Sequence, residues 1–177
     1  MDDPELLLKK YRKKPLALPA DFPVKLDYGR EDIKKIIPHR EPFLLVDSII
    51  GVDLAKALII GKRFIDPAEP LFKGHFPGFP VYPGALQLEM TGQLGLCLYH
   101  FMRNDTLEIK GANEPLNVRA TRVLGGHYLA PVLPGKEVLI TAMRLEQDDF
   151  FGIIIGQVIS GDTVCSVSIS EICFVDP

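Results

Sequence analysis

The stretch that decides the fold is GALQLEMTGQLGLCLYHFM, residues 84–102. It contains no proline, and its apolar side chains fall on nearly every side of a helix instead of on one stripe. A helix that is apolar all round is a buried helix. The segments on either side of it must therefore enclose it.

Strand-like segments flank this helix. Two precede it, with a turn near residues 51–53, and five follow it, with Ser160-Gly161-Asp162 as a hairpin turn. The segments are residues 44–50, 57–65, 116–123, 128–133, 137–145, 151–159 and 163–174. In the last of them apolar and serine residues alternate from Cys165 to Ser170, the period of a strand with two different faces. This order predicts an α+β fold in which an antiparallel sheet of about six strands wraps around one long buried helix.

The composition is that of one folded domain. The chain has 177 residues and a mass of 19.7 kDa, with 47% hydrophobic and 24% charged residues, which excludes wholesale disorder. Its 20 basic and 23 acidic side chains give a net charge of −3, which argues against a nucleic-acid protein that binds through a basic patch. No segment approaches the roughly 18 apolar residues of a membrane span. Three cysteines without C-x-x-C spacing predict a reduced, cytoplasmic protein with neither a disulfide framework nor a zinc knuckle.

Residues 1–29 are predicted to be an extension, and residues 30–177 the folded domain, which opens with a short helix over residues 30–37. Five basic residues cluster at positions 9–14, and three prolines then interrupt any helix. A charge run of this kind usually lies in solvent, so we expect a solvated or draped arm. The functional alternative is a docking strip for an acidic partner.

Residues 73–84, KGHFPGFPVYPG, form the loop in which the sequence indicates chemistry. His75 lies among three prolines that restrict the backbone, while Gly74 and Gly78 permit unusual backbone angles. Such a loop holds a side chain still, as a catalytic base requires. The alternative is a rigid connection in which His75 caps a neighbouring group, since histidine is often structural.

Glu89 is an acidic residue in the middle of the apolar helix. Between Lys73 and Arg103 the only basic residue type is histidine. A buried carboxylate without a charged partner has a raised pKa, which suits a general acid. Gln93 lies one turn later on the same face, where it is placed to orient the carboxyl group. The alternative is a partly solvated polar stripe on this face of the helix.

Gly84 begins the helix and offers a backbone N–H at the positive end of the helix dipole, where a carbonyl oxygen would be polarised. A base, an acid and an N–H donor are the parts that abstract a proton beside a thioester or ketone carbonyl and expel a β-hydroxyl. The sequence has no G-x-S-x-G elbow and no phosphate-binding glycine motif, and its four histidines lie too far apart for a local metal motif. We therefore expect no cofactor and no metal.

Three motifs resemble those of the 3-hydroxyacyl-[acyl-carrier-protein] dehydratases of fatty acid synthesis. Residues 74–93 resemble the main signature of that family, residues 37–47 (IPHREPFLLVD) the second, and residues 131–135 (PVLPG) a third and weaker one. The resemblance covers about residue 30 to the C-terminus. It implies the hot-dog fold, a sheet wrapped around one helix, which the residues predict independently.

The resemblance also implies roles for individual residues. The family's catalytic histidine falls on His75, its acidic partner on Glu89, and the glycine that binds the thioester carbonyl on Gly84. Glutamate at position 89 is similar to the branch that only dehydrates. Leu86 and Met90 are expected to line an acyl tunnel. Since the family takes its two catalytic residues from opposite subunits, a homodimer or a higher oligomer built of dimers is expected.

The resemblance names acyl carrier protein, carrying 3-hydroxyacyl-phosphopantetheine, as the partner. Residues 124–130 lack the basic run that the family has before its third motif. Docking would then have moved to the basic cluster at positions 9–14, or the carrier would be coenzyme A. His39 and Arg40 are interpreted as residues that fix a loop.

Three other functions are compatible with the fold: a non-catalytic acyl-binding subunit, a hot-dog thioesterase and a coenzyme A-dependent hydratase. A binding subunit needs neither His75 nor Glu89. A thioesterase needs a water held for attack on the carbonyl. The motifs match the dehydratases instead.

Overall fold

The computed structural model describes residues 3–110 and 115–175. Within these residues the central helix, α3, is Gly84–Arg103, and seven antiparallel strands form one sheet that packs around it. This confirms the helix and the antiparallel sheet predicted from the sequence. Two shorter helices, α1 (Pro4–Tyr11) and α2 (Arg30–Ile33), come earlier in the chain. No helix in the described ranges is both long enough and apolar enough to cross a membrane.

The sheet has the strand order β1-β2-β3-β5-β6-β7-β4, so β1 and β4 are its edges. The strands are β1 Lys25–Gly29, β2 Ser48–Asp53, β3 Leu58–Phe64, β4 Val118–Tyr128, β5 Glu137–Gln147, β6 Phe151–Ser160 and β7 Thr163–Phe174. The sequence predicts about six strands. Strand β1 lies within residues 1–29, which the sequence analysis assigns to an extension.

Three predicted boundaries are wrong. The helix predicted at residues 30–37 is α2, which ends at Ile33, four residues early. Strand β2 begins at Ser48 and continues through Gly51, so the turn comes at residues 54–57. A single strand, β4, replaces the two predicted at 116–123 and 128–133, because pairing with β7 carries it through two register irregularities and the glycines at 125 and 126. Pairing with a distant strand overrides the local pattern at these places.

Helix α3 lies close against the inner face of the sheet. Met90, Leu94, Cys97 and Phe101 are fully buried there. A Cβ added at Gly156 of β6 would lie 2.4 Å from the Thr91 side chain, so the glycine is what lets strand and helix approach.

The outer face of the sheet is covered by residues 4–22, which we call the strap. Leu7 and Leu8 are buried in a cluster with three β6 and β7 side chains, which are Ile155, Val167 and Ile169. Farther along, Ala17 and Phe22 are buried against β3. Between these two contacts the buried Gln157 donates hydrogen bonds to the carbonyls of Tyr11 (2.6 Å) and Lys14 (2.9 Å).

The strap follows one row of paired residues across the sheet. The row is His127, Val167, Gln157, Thr141, Ile60 and Gly51. Glu5 lies 4.0 Å from His127 at one end, and Phe22 packs against Gly51 at the other. The arm is therefore draped across six strands, and the basic side chains at positions 9, 10 and 12–14 remain exposed.

Candidate active site

His75 is fixed by its own loop, which leads from a short 3-10 helix, Pro70–Lys73, to the start of α3. Its backbone N–H donates to the Leu71 carbonyl (3.0 Å), and its carbonyl accepts from Val81 (3.0 Å). The ring Nδ1 lies 2.8 Å from the Val81 carbonyl oxygen. Since a carbonyl can only accept, Nδ1 carries the proton in this hydrogen bond, and the Nε2 lone pair is available as a base.

His75 and Gly84 line the same open cleft, of about 620 Å³, together with Tyr128 and Pro131. Gly84 is the first residue of α3, where a backbone N–H has no carbonyl acceptor within the helix. A Cβ at position 84 would lie 2.8 Å from the Tyr128 ring. The absent side chain therefore lets that ring close over the helix start, beside a base and an N–H donor.

Glu89 is oriented by Gln93, whose Nε2 donates to Glu89 Oε1 at 2.8 Å. Gln93 is buried, and its own position is fixed by the segment that precedes β2. Its amide donates to the Phe43 carbonyl (2.8 Å) and accepts from the Leu45 N–H (2.7 Å). The contact between Gln93 and Glu89 is the one their spacing predicts.

Sequence reasoning gave His39 only a loop-fixing role and missed its contact with Glu89. Its Nε2 lies 3.4 Å from Glu89 Oε1. Arg40 does fix the loop, since its guanidinium donates to the carbonyls of Ile37 and His39. The signal available in the sequence was the motif at 37–47, which sets a histidine beside the segment that holds Gln93.

The prediction of a raised Glu89 pKa is wrong. The hydrogen bond from His39 lowers the pKa of this carboxyl group below its usual value, burial opposes the shift, and the hydrogen bond from Gln93 adds to it. His39 Nδ1 is buried without a hydrogen-bond partner in the described part of the chain, so a proton there would be unpaired. The tautomer with its proton on Nε2 is favoured, and it directs an N–H toward the ionised Glu89 at 3.4 Å.

In the described part of one chain, His75 and Glu89 line two different cavities. Glu89 opens into a smaller cavity, of about 210 Å³, whose lining does not include His75. The other residues of that lining are Pro38, His39, Gly92, Gln93, Leu96, Val118, Ala120 and Ile172.

The two residues predicted to line an acyl tunnel pack with the core. Met90 is fully buried in it and Leu86 lies against it. Neither lines the cleft at His75 or the cavity at Glu89, and their contact with an acyl chain stays a prediction. Among residues 3–110 and 115–175, no three His, Cys, Asp or Glu side chains are grouped to hold a metal ion.

Comparison with known proteins gives matches over most of the chain. The family model of the FabA-like domain matches residues 37–168. The 3-hydroxyacyl-[acyl-carrier-protein] dehydratase FabZ of Campylobacter concisus is 31% identical over 145 residues, which cover 82% of this chain and 96% of the relative. The FabZ of Polynucleobacter necessarius is 35% identical over 126 residues, covering 71% and 76%.

Among solved structures, the dehydratase heterocomplex ApeI:P of Xenorhabdus doucetiae matches with a TM-score of 0.58 at 18% identity. It covers 81% of this chain and 91% of the other. At that identity the likeness concerns the hot-dog fold alone.

Proposed function

Since this chain belongs to the FabA-like family and to its 3-hydroxyacyl-[acyl-carrier-protein] dehydratases, we propose that it removes water from a 3-hydroxyacyl thioester to give the trans-2-enoyl thioester. The observation that carries the proposal is the placement of the His75 ring. Its Nδ1 is hydrogen-bonded to the Val81 carbonyl oxygen, and His75 lines the same cleft as Gly84. A base beside an N–H donor suits proton removal next to a thioester carbonyl.

In the proposed reaction, His75 Nε2 takes the α-proton while the Gly84 N–H stabilises the negative charge that develops on the thioester oxygen. Glu89 is ionised at rest, so it has no proton of its own to give. The imidazolium formed on His75 supplies that proton to Glu89, directly or through water, and Glu89 passes it to the departing β-hydroxyl. The carbon–oxygen bond breaks, water leaves, and both side chains return to their starting states.

The active site is proposed to form between two copies of the chain, with His75 from one and Glu89 from the other. Support comes from their positions in separate cavities of one chain. The 11-residue strand β4 is a sheet edge, which could pair with its counterpart in a second copy. Large exposed apolar side chains near His75, at Phe76, Phe79 and Leu129, would be covered in the same assembly.

The proposed substrate carrier is acyl carrier protein, as in the names of the relatives. The exposed basic residues of the strap would attract an acidic carrier. We predict that the carrier docks on these basic residues of the strap. A cytoplasmic location and an oligomer larger than a dimer are also predictions.

The test is the ultraviolet absorbance change when the purified protein meets a short 3-hydroxyacyl thioester. We expect the wild type to form the enoyl thioester, and His75→Ala and Glu89→Ala to lose the activity. Release of free thiol would indicate a thioesterase instead. Absence of turnover with both carrier-protein and coenzyme A substrates would indicate a binding subunit.

The shared site is tested by mixing the two inactive variants after reversible dissociation. A mixed dimer of His75→Ala and Glu89→Ala chains has one site with both residues intact. Recovery of activity on mixing supports the shared site, whereas a mixed dimer as inactive as its parents contradicts it.

A further inference from the structure

Arg63 is a buried arginine near the end of an interior strand of the sheet, with only 4% of its surface exposed. Arg63 lies on β3. A charged group buried there is no longer hydrated, so it needs hydrogen-bonding or oppositely charged partners in the protein. Its guanidinium donates to Glu69 Oε1 (2.8 Å) and to the Leu44 carbonyl (3.2 Å), and it lies over the Tyr82 ring at 5.7 Å. These three partners come from three different segments of the chain.

Two of the partners hold the loop that carries His75. Glu69 immediately precedes the 3-10 helix at the start of this loop, and Tyr82 follows Val81 at its end. Val81 is the residue whose carbonyl fixes the His75 ring. Arg63 thus ties the beginning and the end of the loop to one strand.

The third partner leads to Glu89. Leu44 lies between Phe43 and Leu45, whose backbone groups hold both ends of the Gln93 amide. Gln93 in turn donates to Glu89. A shift of this segment would move Gln93, and with it the carboxyl group.

We propose that Arg63 is a positioning residue for both His75 and Glu89, although it touches neither. The inference rests on the proposed function and its shared site. If His75 and Glu89 of one chain serve opposite sites, one buried guanidinium supports a residue in each of the two sites of a dimer. Replacing Arg63 with a neutral residue in one chain would then impair both active sites of the dimer.

The mixed dimer of His75→Ala and Glu89→Ala chains separates the effect of Arg63 on His75 from its effect on Glu89. Its one intact site takes His75 from one chain and Glu89 from the other. Arg63→Met is added first to the chain that supplies His75 and then, in a second preparation, to the chain that supplies Glu89. We expect kcat to fall about tenfold or more in each placement, since small displacements of catalytic groups have effects up to 100-fold. The KM for a short thioester is expected to change little.

The matched control is Thr141→Val in the same two placements. Thr141 is as buried as Arg63, and its hydroxyl has no hydrogen-bond partner in the described part of the chain, but it lies on the strap side of β5. It is expected to leave kcat unchanged. A loss in only one Arg63 placement, or an equal loss in the control, overturns the proposal.

Arg63→Lys covers the case in which Arg63→Met does not fold. Lysine keeps the charge but lacks the planar fork that reaches Glu69 and Leu44 together. We expect a cooperative melting transition and a reduced kcat in both placements, and a wild-type kcat in either one overturns the proposal. If the parent mixed dimer shows no activity at all, the shared site has failed, and the same Arg63 variants in the wild-type dimer then decide whether kcat falls without a change in KM.

Discussion

Glu89 and His39 illustrate how a pair of side chains sets the charge at one point of the site. Burial alone would raise the pKa of the carboxyl group, but the hydrogen bond from His39 outweighs it. Ionised Glu89 is therefore favoured in the folded state relative to the unfolded state. A depressed folded-state pKa adds stability above the unfolded value, and that stability is lost as the pH falls through the folded-state pKa.

Replacing His39 with alanine should raise the pKa of Glu89, because the largest cause of the downward shift is removed. The measurement is a carbon-13 NMR titration of glutamate carboxyl groups, with Glu89→Gln used to assign the signal. His39→Gln, which keeps an N–H donor, is the matched control and should retain part of the shift. A titration midpoint unmoved in His39→Ala would contradict the assigned contact.

Gly84→Ala should destabilise the protein through the Tyr128 ring, which a new methyl group would contact at 2.8 Å. The ring is more than half exposed and can swing aside, so the expected loss is near the low end for overpacking, about 1 kcal/mol. Thermal unfolding of both single variants and of Gly84→Ala combined with Tyr128→Ala measures the coupling. The loss should disappear in the Tyr128→Ala background, and additive losses would show that the ring is not the obstacle.

At the scale of elements, the strap is held by a few buried contacts across a sheet face that would otherwise be exposed. Leu8 is buried at 2% exposure, while Leu6 of the same helix is 61% exposed. Farther along, Gln157 donates hydrogen bonds to the strap backbone, and Ala17 and Phe22 are buried against β3. This contrast between neighbouring leucines permits a matched pair of variants.

Leu8→Ala should lower the free energy of unfolding by about 2 kcal/mol, the low end for truncation of a buried leucine, because a surface element can settle into the space. Leu6→Ala should change it by less than about 0.5 kcal/mol. Denaturant unfolding measures both. Equal effects of the two variants would mean that the strap does not pack on β6 and β7 as described.

The elements that sequence reasoning predicts well are those whose signal is local. The absence of proline and the all-round apolar pattern define α3 to within one residue. The alternation of Cys165 to Ser170 likewise identifies the interior of β7. The ends of β2 and the continuity of β4 depend on pairing with remote strands, so local patterns do not reveal them.

The residues of the candidate site also divide into those with a local sequence signal and those whose role depends on contacts with remote segments. His75, Gly84 and the spacing of Glu89 and Gln93 belong to one contiguous segment and are visible in the sequence. The partner of Glu89 comes from fifty residues earlier, and sequence reasoning therefore gave the Glu89 pKa the wrong direction. Arg63 also went unnoticed, since a single arginine in a strand looks like any surface charge until its burial is known.

At the scale of the whole molecule, the proposed dimer interface can be tested at the edge strand β4. Val123 of this edge strand is exposed, and so is Phe150 of the β5–β6 hairpin, both at 59%. Val123→Asp should weaken a dimer built on this edge and make the activity depend on protein concentration, since like charges would meet where two edges pair. Phe150→Asp is the control and should stay dimeric in sedimentation analysis. Equal dissociation of both variants, or of neither, would contradict this interface.

The strap also has a consequence for the order in which the chain folds. Its anchor on β6, Gln157, is 146 residues from Tyr11, so the strap binds to a strand that is synthesised much later than itself. The row that it crosses exists only after β4, β5, β6 and β7 have paired. Contacts this distant in sequence are slow to form, so we expect docking of the strap to follow the pairing of these strands. Before that step Leu7 and Leu8, which are buried in the folded protein, would be exposed to solvent.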